Sequence, residues 1–93
     1  MNIFIHCFGQ VRTITNEAKL SIDVPEGSSI TQAIDIFVKK FGEELEKLLY
    51  REGKLRDFYS IQIDRNNVRN DELSDTKVEM DQTISIIPFV SGG

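Results

Sequence analysis

The sequence predicts an α+β domain in which one main helix packs on one face of a β-sheet. Three observations lead there. Leu20, Ile22 and Val24 alternate with Ser21 and Asp23, the period-two pattern of a strand with one buried face. Ile30, Ala33, Ile34, Phe37, Val38 and Phe41 recur at helical spacing and form one continuous apolar stripe. Ile61 and Ile63, and later Ile84, Ile86 and Ile87, supply further strands. A helix stripe and a sheet face of this kind each need an apolar partner, and covering one with the other satisfies both.

Taken in order, the first strand starts at Ile3-Phe4-Ile5 and continues through Cys7 and Phe8 to Gly9. Polar residues from Thr13 to Glu17 form a turn, so the first two strands make a β-hairpin. Pro25-Glu26-Gly27 ends the second strand. Ser29 then stands as an N-cap with Gln32 three residues on, the form of a capping box. Lys39 and Lys40 occupy the last turn, where the helix dipole favours cations, and Gly42 is a natural stop.

A second, shorter helical pattern covers Glu43 to Tyr50, with Leu45, Leu48 and Leu49 apolar. Ile61 and Ile63 mark a strand, Arg65-Asn66-Asn67 a turn, and Val68 the start of a short strand. The acidic stretch from Asp71 to Asp81 reads as a loop, with room for an edge strand around Val78 and Met80. The last strand leads through Pro88-Phe89-Val90 to Ser91-Gly92-Gly93.

A chain of 93 residues makes one domain, here with a flexible tail over 91–93. The net charge of −4 repels phosphate backbones, so no nucleic-acid partner is expected. The single cysteine, Cys7, excludes an internal disulfide and fits a reducing compartment. With no basic leader and no apolar run of spanning length, no membrane partner and a cytoplasmic location are expected.

Self-contained catalytic sites are hard to build from these residues. His6 and Cys7 are adjacent on a strand and point to opposite faces, so they cannot pair directly. Cys7 reads as a small core or edge residue, and His6 has no cluster with which to hold a metal. Asp71, Glu72, Asp75, Glu79 and Asp81 lack the alternating ligands and central glycine of a calcium loop. Glu43, Glu44 and Glu46 read as the solvated face of the short helix. The chain alone is not expected to be an enzyme.

The tail invites a different chemistry. Gly92 and Gly93 have no side chains, so their backbone can thread a narrow channel and present an unhindered carboxylate. A carboxylate resists nucleophiles until adenylation by ATP converts it to a mixed anhydride. A sulfur donor can then displace AMP to leave a thiocarboxylate, or an amine can displace it to leave a conjugate.

The ending Ile86-Ile87-Pro88-Phe89-Val90-Ser91-Gly92-Gly93 resembles the terminus of the MoaD/ThiS sulfur-carrier family. Phe8-Gly9-Gln10-Val11-Arg12 resembles the Phe-Ala-x-x-Arg segment of its molybdopterin-synthase small-subunit branch. The element order is similar to that family's ubiquitin-like β-grasp, a mixed sheet with one main helix on one face. Three features depart from its pattern. Phe89 replaces a common proline, Met80-Asp81-Gln82-Thr83 replaces an Asp-Gly-Asp turn, and the stretch from Glu43 to Asp57 is long.

The resemblance implies that Gly93 carries the activated carboxyl and the sulfur while Gly92 supplies clearance. Pro88, Phe89, Val90 and Ser91 would contact the partner. Implied partners are a ubiquitin-activating-type adenylating enzyme using ATP and Mg²⁺, a persulfide-bearing sulfurtransferase, and the large subunit of molybdopterin synthase or another sulfur acceptor. No permanently bound cofactor is implied. Family relatives also serve thiamine synthesis or tRNA thiolation, and small archaeal and ubiquitin-related modifiers are joined to lysines.

Overall fold

The computed structural model describes residues 1–89. Strand β1 (Asn2–Cys7) leads into helix α1 (Gly9–Thr15) and strand β2 (Lys19–Asp23), followed by helices α2 (Ile30–Phe41) and α3 (Glu43–Leu49). Two short strands, β3 (Tyr50–Arg51) and β4 (Lys54–Leu55), form a separate hairpin. Strands β5 (Tyr59–Ile63) and β6 (Asn66–Val68), a turn of 3-10 helix (Asn70–Glu72) and strand β7 (Thr83–Pro88) complete the described elements.

The main sheet has the order β2-β1-β7-β5-β6. Among the described residues only the β1–β7 pair is parallel, running from Phe4 opposite Thr83 to Cys7 opposite Ile86. This is the mixed sheet expected, with the first and last strands side by side at its centre. One face packs the core: Ile3, Ile5 and Cys7 from β1, Leu20 and Ile22 from β2, Ile61 and Ile63 from β5, and Ile84 and Ile86 from β7. Helix α2 covers that face with Ile30, Ala33, Ile34, Phe37 and Val38, so the stripe and the sheet meet as expected.

The capping box at the start of α2 is formed in both directions. Ser29 Oγ accepts from the Gln32 amide at 3.1 Å, and Gln32 Oε1 accepts from the Ser29 amide at 2.8 Å. Together they satisfy two of the amides that a helix start leaves without partners. At the other end the Gly42 amide donates to the Val38 carbonyl, and α3 begins at once.

Four local expectations need correction. The first strand stops at Cys7 rather than Gly9, and the connection to β2 is helical through Thr15. Val11 is buried, so tertiary packing recruits a stretch whose β-branched residues disfavour helix. The hairpin pairing itself stands, with Ile3 opposite Ile22 and Ile5 opposite Leu20.

The β5–β6 turn falls at Asp64-Arg65, with Asp64 at φ 53°, and Asn66 and Asn67 are already paired in β6. No strand forms at Val78 and Met80. The Val78 amide donates to the Ser28 carbonyl and the side chain is buried, whereas Met80 is exposed. The β3–β4 hairpin, unanticipated, turns through Glu52 and Gly53, both at positive φ.

Candidate functional site

The site is the point at which β7 releases the chain end. β7 is held on both sides, by β1 and by β5. Its pairing with β5 continues to Tyr59 opposite Pro88, and then the Phe89 amide donates to the Phe58 carbonyl at 2.6 Å. The Asp64 amide bonds to the Thr83 carbonyl in the same register, so odd-numbered residues of β7 turn their backbone groups toward β5. Pro88 therefore directs its nitrogen toward the β1 side. β1 has ended at Cys7 by then, so the missing N–H breaks no ladder bond.

Gly9 occupies the space that β1 vacates. Its φ is +57°, and a Cβ built there would lie 3.3 Å from Pro88 Cγ. A side chain would thus be strained in its own backbone and pressed against the strand end.

Phe89 is 65% exposed and its cross-strand neighbour Phe58 is 58% exposed. Both side chains are therefore largely uncovered beside the exit, on residues joined through their backbones. The Arg56 guanidinium lies 5.9 Å from the centre of the Phe58 ring. The half-buried His6 and Ile87 lie on the open sheet face, the one away from α2, and the Phe8 ring is 4.2 Å from that of His6. Two large exposed aromatics flanking a chain exit suit a partner that supplies their missing cover.

Of the site residues expected from sequence, Pro88 and Phe89 are thus placed at the exit. Val90, Ser91, Gly92 and Gly93 lie outside the described residues. Phe58 is not legible as a site residue in the sequence, and Gly9 enters there only within the Phe8–Arg12 segment; the backbone bond to Phe89 and the end of β1 bring them to this point. The one hint of Phe58 is a large apolar side chain next to Arg56 and Asp57.

The other groups have structural explanations. Cys7 is buried, and burial pushes its thiol above the ordinary range, with the Thr15 hydroxyl offsetting part of that. A neutral thiol of this kind is a poor nucleophile. Among the described residues no three His, Cys, Asp or Glu groups could hold a metal together. Asp71 and Glu72 face Arg69, and Glu43 pairs with Lys47.

A concavity of about 650 Å³ between α2 and the β3–β4 hairpin has no lining residue from β1 or β7. Two of its carboxylates, Asp35 and Asp71, are paired with Lys39 and Arg69. No helix among the described residues is long and apolar enough to cross a membrane.

Solved structures share this architecture. SAMP1 from Haloferax volcanii superposes with a TM-score of 0.86 over all of both chains, at 18% identity. A candidate subunit 1 of the molybdopterin converting factor from Pyrococcus furiosus gives 0.74 over 96% of this chain and 98% of that one, at 20% identity. A chain of the BexX/CysO complex from Amycolatopsis orientalis gives 0.73 over 98% and 99%, at 24% identity. These likenesses establish the ubiquitin-like β-grasp.

Sequence comparison reaches further. A candidate sulfur carrier protein of Archaeoglobus fulgidus is 38% identical over 78 residues, which are 84% of this chain and 88% of that protein. The ThiS family model matches residues 5–93, and with that match the chain belongs to the ThiS family of ubiquitin-like sulfur carriers.

Proposed function

We propose that this chain carries sulfur on the carboxyl of Gly93, and that it delivers that sulfur to molybdopterin in molybdenum-cofactor synthesis. The observation that supports this most is the close approach of Gly9 to Pro88, where an added Cβ would lie 3.3 Å from Pro88 Cγ. The two segments that resemble the molybdopterin-synthase branch, Phe8 to Arg12 and Ile86 to Gly93, lie at opposite ends of the chain. Within the described residues, Gly9 of the first segment approaches Pro88 of the second at the end of β7.

The cycle divides the work between the chain and its partners. An adenylating enzyme of the ubiquitin-activating type, with ATP and Mg²⁺, joins the Gly93 carboxylate to AMP and releases pyrophosphate. The terminal sulfur of a sulfurtransferase persulfide attacks the acyl carbon and expels AMP. A thiol then cleaves the resulting acyl disulfide and leaves the thiocarboxylate.

This chain contributes a launching strand paired on both flanks, the exposed Phe58 and Phe89 beside its end, and a tail without obstructing side chains at Gly92 and Gly93. Four residues beyond Phe89 reach at most about 14 Å, enough to pass through a narrow channel to a buried reaction centre. Inside the large subunit of molybdopterin synthase, that sulfur would build the dithiolene.

Intact mass after incubation with ATP, Mg²⁺, the adenylating enzyme and a sulfur donor tests the carrier step. An increase matching exchange of one oxygen for sulfur, localised to Gly93, is expected. Adding the large subunit and the molybdopterin precursor should then restore the original mass. Lysine-linked Gly-Gly remnants on other proteins, with no thiocarboxylate, would instead identify a modifier.

A further inference from the structure

We propose that β2 forms an isologous dimer by pairing antiparallel with β2 of a second copy about an axis through Ser21. β2 is an end strand of the sheet. Its inner edge is settled by two flanking pairs: Met1 and Val24 exchange both backbone bonds, and the Cys7 amide donates to the Ala18 carbonyl. Antiparallel pairing alternates, so Leu20 and Ile22 also turn inward. Lys19, Ser21 and Asp23 then direct their N–H and C=O groups outward. Among the described residues no other segment bonds to them.

An open edge of this length is a hazard, and proteins commonly guard it with charge, lysine especially. Here the guards complement one another. In an antiparallel pair centred on Ser21, residue numbers opposite each other sum to a constant, so Lys19 meets the second copy's Asp23 and Asp23 meets its Lys19. All three positions are exposed and share the open sheet face. Each carries outward backbone groups, so the register forms three bonded pairs with a salt bridge at either end. A register shifted by one residue would turn Leu20 and Ile22 against the second copy's solvent face.

Neither charge is held strongly inside its own chain. Lys19 lies 4.9 Å from the centre of the Phe4 ring, and Asp23 reaches the Met1 ammonium at 3.1 Å while remaining almost wholly exposed. The product would be a continuous ten-stranded sheet, five strands from each copy. The two β7 strands would lie about 24 Å apart, five strand spacings, and point in opposite directions. Both tails would remain free to engage partners independently.

Sedimentation equilibrium on the full chain, from about 10 µM to 1 mM, tests this, since a short interface predicts weak affinity. A monomer–dimer equilibrium is expected. Lys19→Asp or Asp23→Lys alone sets like charges opposite each other twice and should weaken the dimer on the order of tenfold. The double exchange, Lys19→Asp with Asp23→Lys, should restore it.

Amide exchange should slow with concentration at Lys19, Ser21 and Asp23, but not at Leu20 and Ile22. A monomer throughout, oligomers growing beyond two, or single reversals without effect would each overturn the proposal. A monomer whose Ser21 amide becomes protected only with another protein would assign the edge to a foreign strand instead.

Discussion

Phe89 and Phe58 are joined by a 2.6 Å hydrogen bond from the amide of the first to the carbonyl of the second, one rung beyond the end of β7. The bond extends sheet order to the last described residue, and both residues keep their rings exposed. Main-chain order is therefore maintained at the exit while its side chains stay largely uncovered.

That separation predicts a split between stability and transfer. Phe58→Ala and Phe89→Ala should each change unfolding free energy by no more than about 0.5 kcal/mol, because the rings are mostly in solvent. If both rings anchor the partner, kcat/KM of the adenylating enzyme should fall roughly tenfold or more for each variant. Urea unfolding and pyrophosphate release measure the two effects, and unchanged kinetics would remove the rings from the docking surface.

Gly9→Ala should act at the same exit from below. The left-handed backbone alone should cost about 1–2 kcal/mol, and the new methyl must displace Pro88. Gly53→Ala is the control: φ there is +78°, but nothing lies within 4 Å of the added carbon. Gly53→Ala should show only the backbone cost in a thermal melt and Gly9→Ala at least as large a loss, while Gly9→Ala alone should slow thiocarboxylation. Equal transfer rates would show that the position of Pro88 does not govern the tail.

Phe37→Ala tests the core. Phe37 is fully buried in the α2 stripe, and its removal should cost about 3–5 kcal/mol by denaturant titration. A loss below about 1 kcal/mol would mean that the helix–sheet layer is not the main source of stability.

Alkaline pH should expose Tyr50. Burial chiefly, with the nearby Asp35 carboxylate, raises its phenol pKa, and the hydroxyl donates to Asp35 Oδ1 at 3.3 Å. From about pH 10 the unfolded chain releases this proton while the fold keeps it. The folded state then binds more protons, so stability that is complete below that pH declines as pH rises. Tyr50→Phe should decline less steeply between about pH 9 and pH 11, with the Tyr59 contribution retained. Parallel curves would contradict the assignment to Tyr50.

Legibility in the sequence followed how local each determinant is. Helix α2 announces itself because Ser29, Gln32, its apolar stripe and Gly42 all lie within fourteen consecutive residues. Helix α1 does not: Phe8 gives no side-chain cap, and Val11, Thr13, Ile14 and Thr15 are poor helix formers. Burial of Val11 decides it, a contact remote in sequence. The β3–β4 hairpin has only two residues per strand, too few for alternation to register.

The candidate site divides in the same way. Pro88 and Phe89 are visible beside the terminal glycines, whereas Phe58 and Gly9 depend on strand register. The molecule also shows how one residue step misleads. Asn66-Asn67 has turn composition, yet Asp64 takes the left-handed position and the asparagines pair with β5.

The parallel seating of β1 beside β7 has a mechanical consequence. The Met1 ammonium is anchored to the Val24 carbonyl at one end of the sheet, and β7 points its chain end away from the other. Opposed tension on the two ends would load the β1–β7 rungs in shear, all at once, rather than unzipping them singly. A machine hauling on the tail would likewise meet the β5 ladder on the opposite flank. Forced unfolding follows the unfolding barrier rather than equilibrium stability, so a small domain of ordinary stability can still present a stiff handle when gripped by its tail.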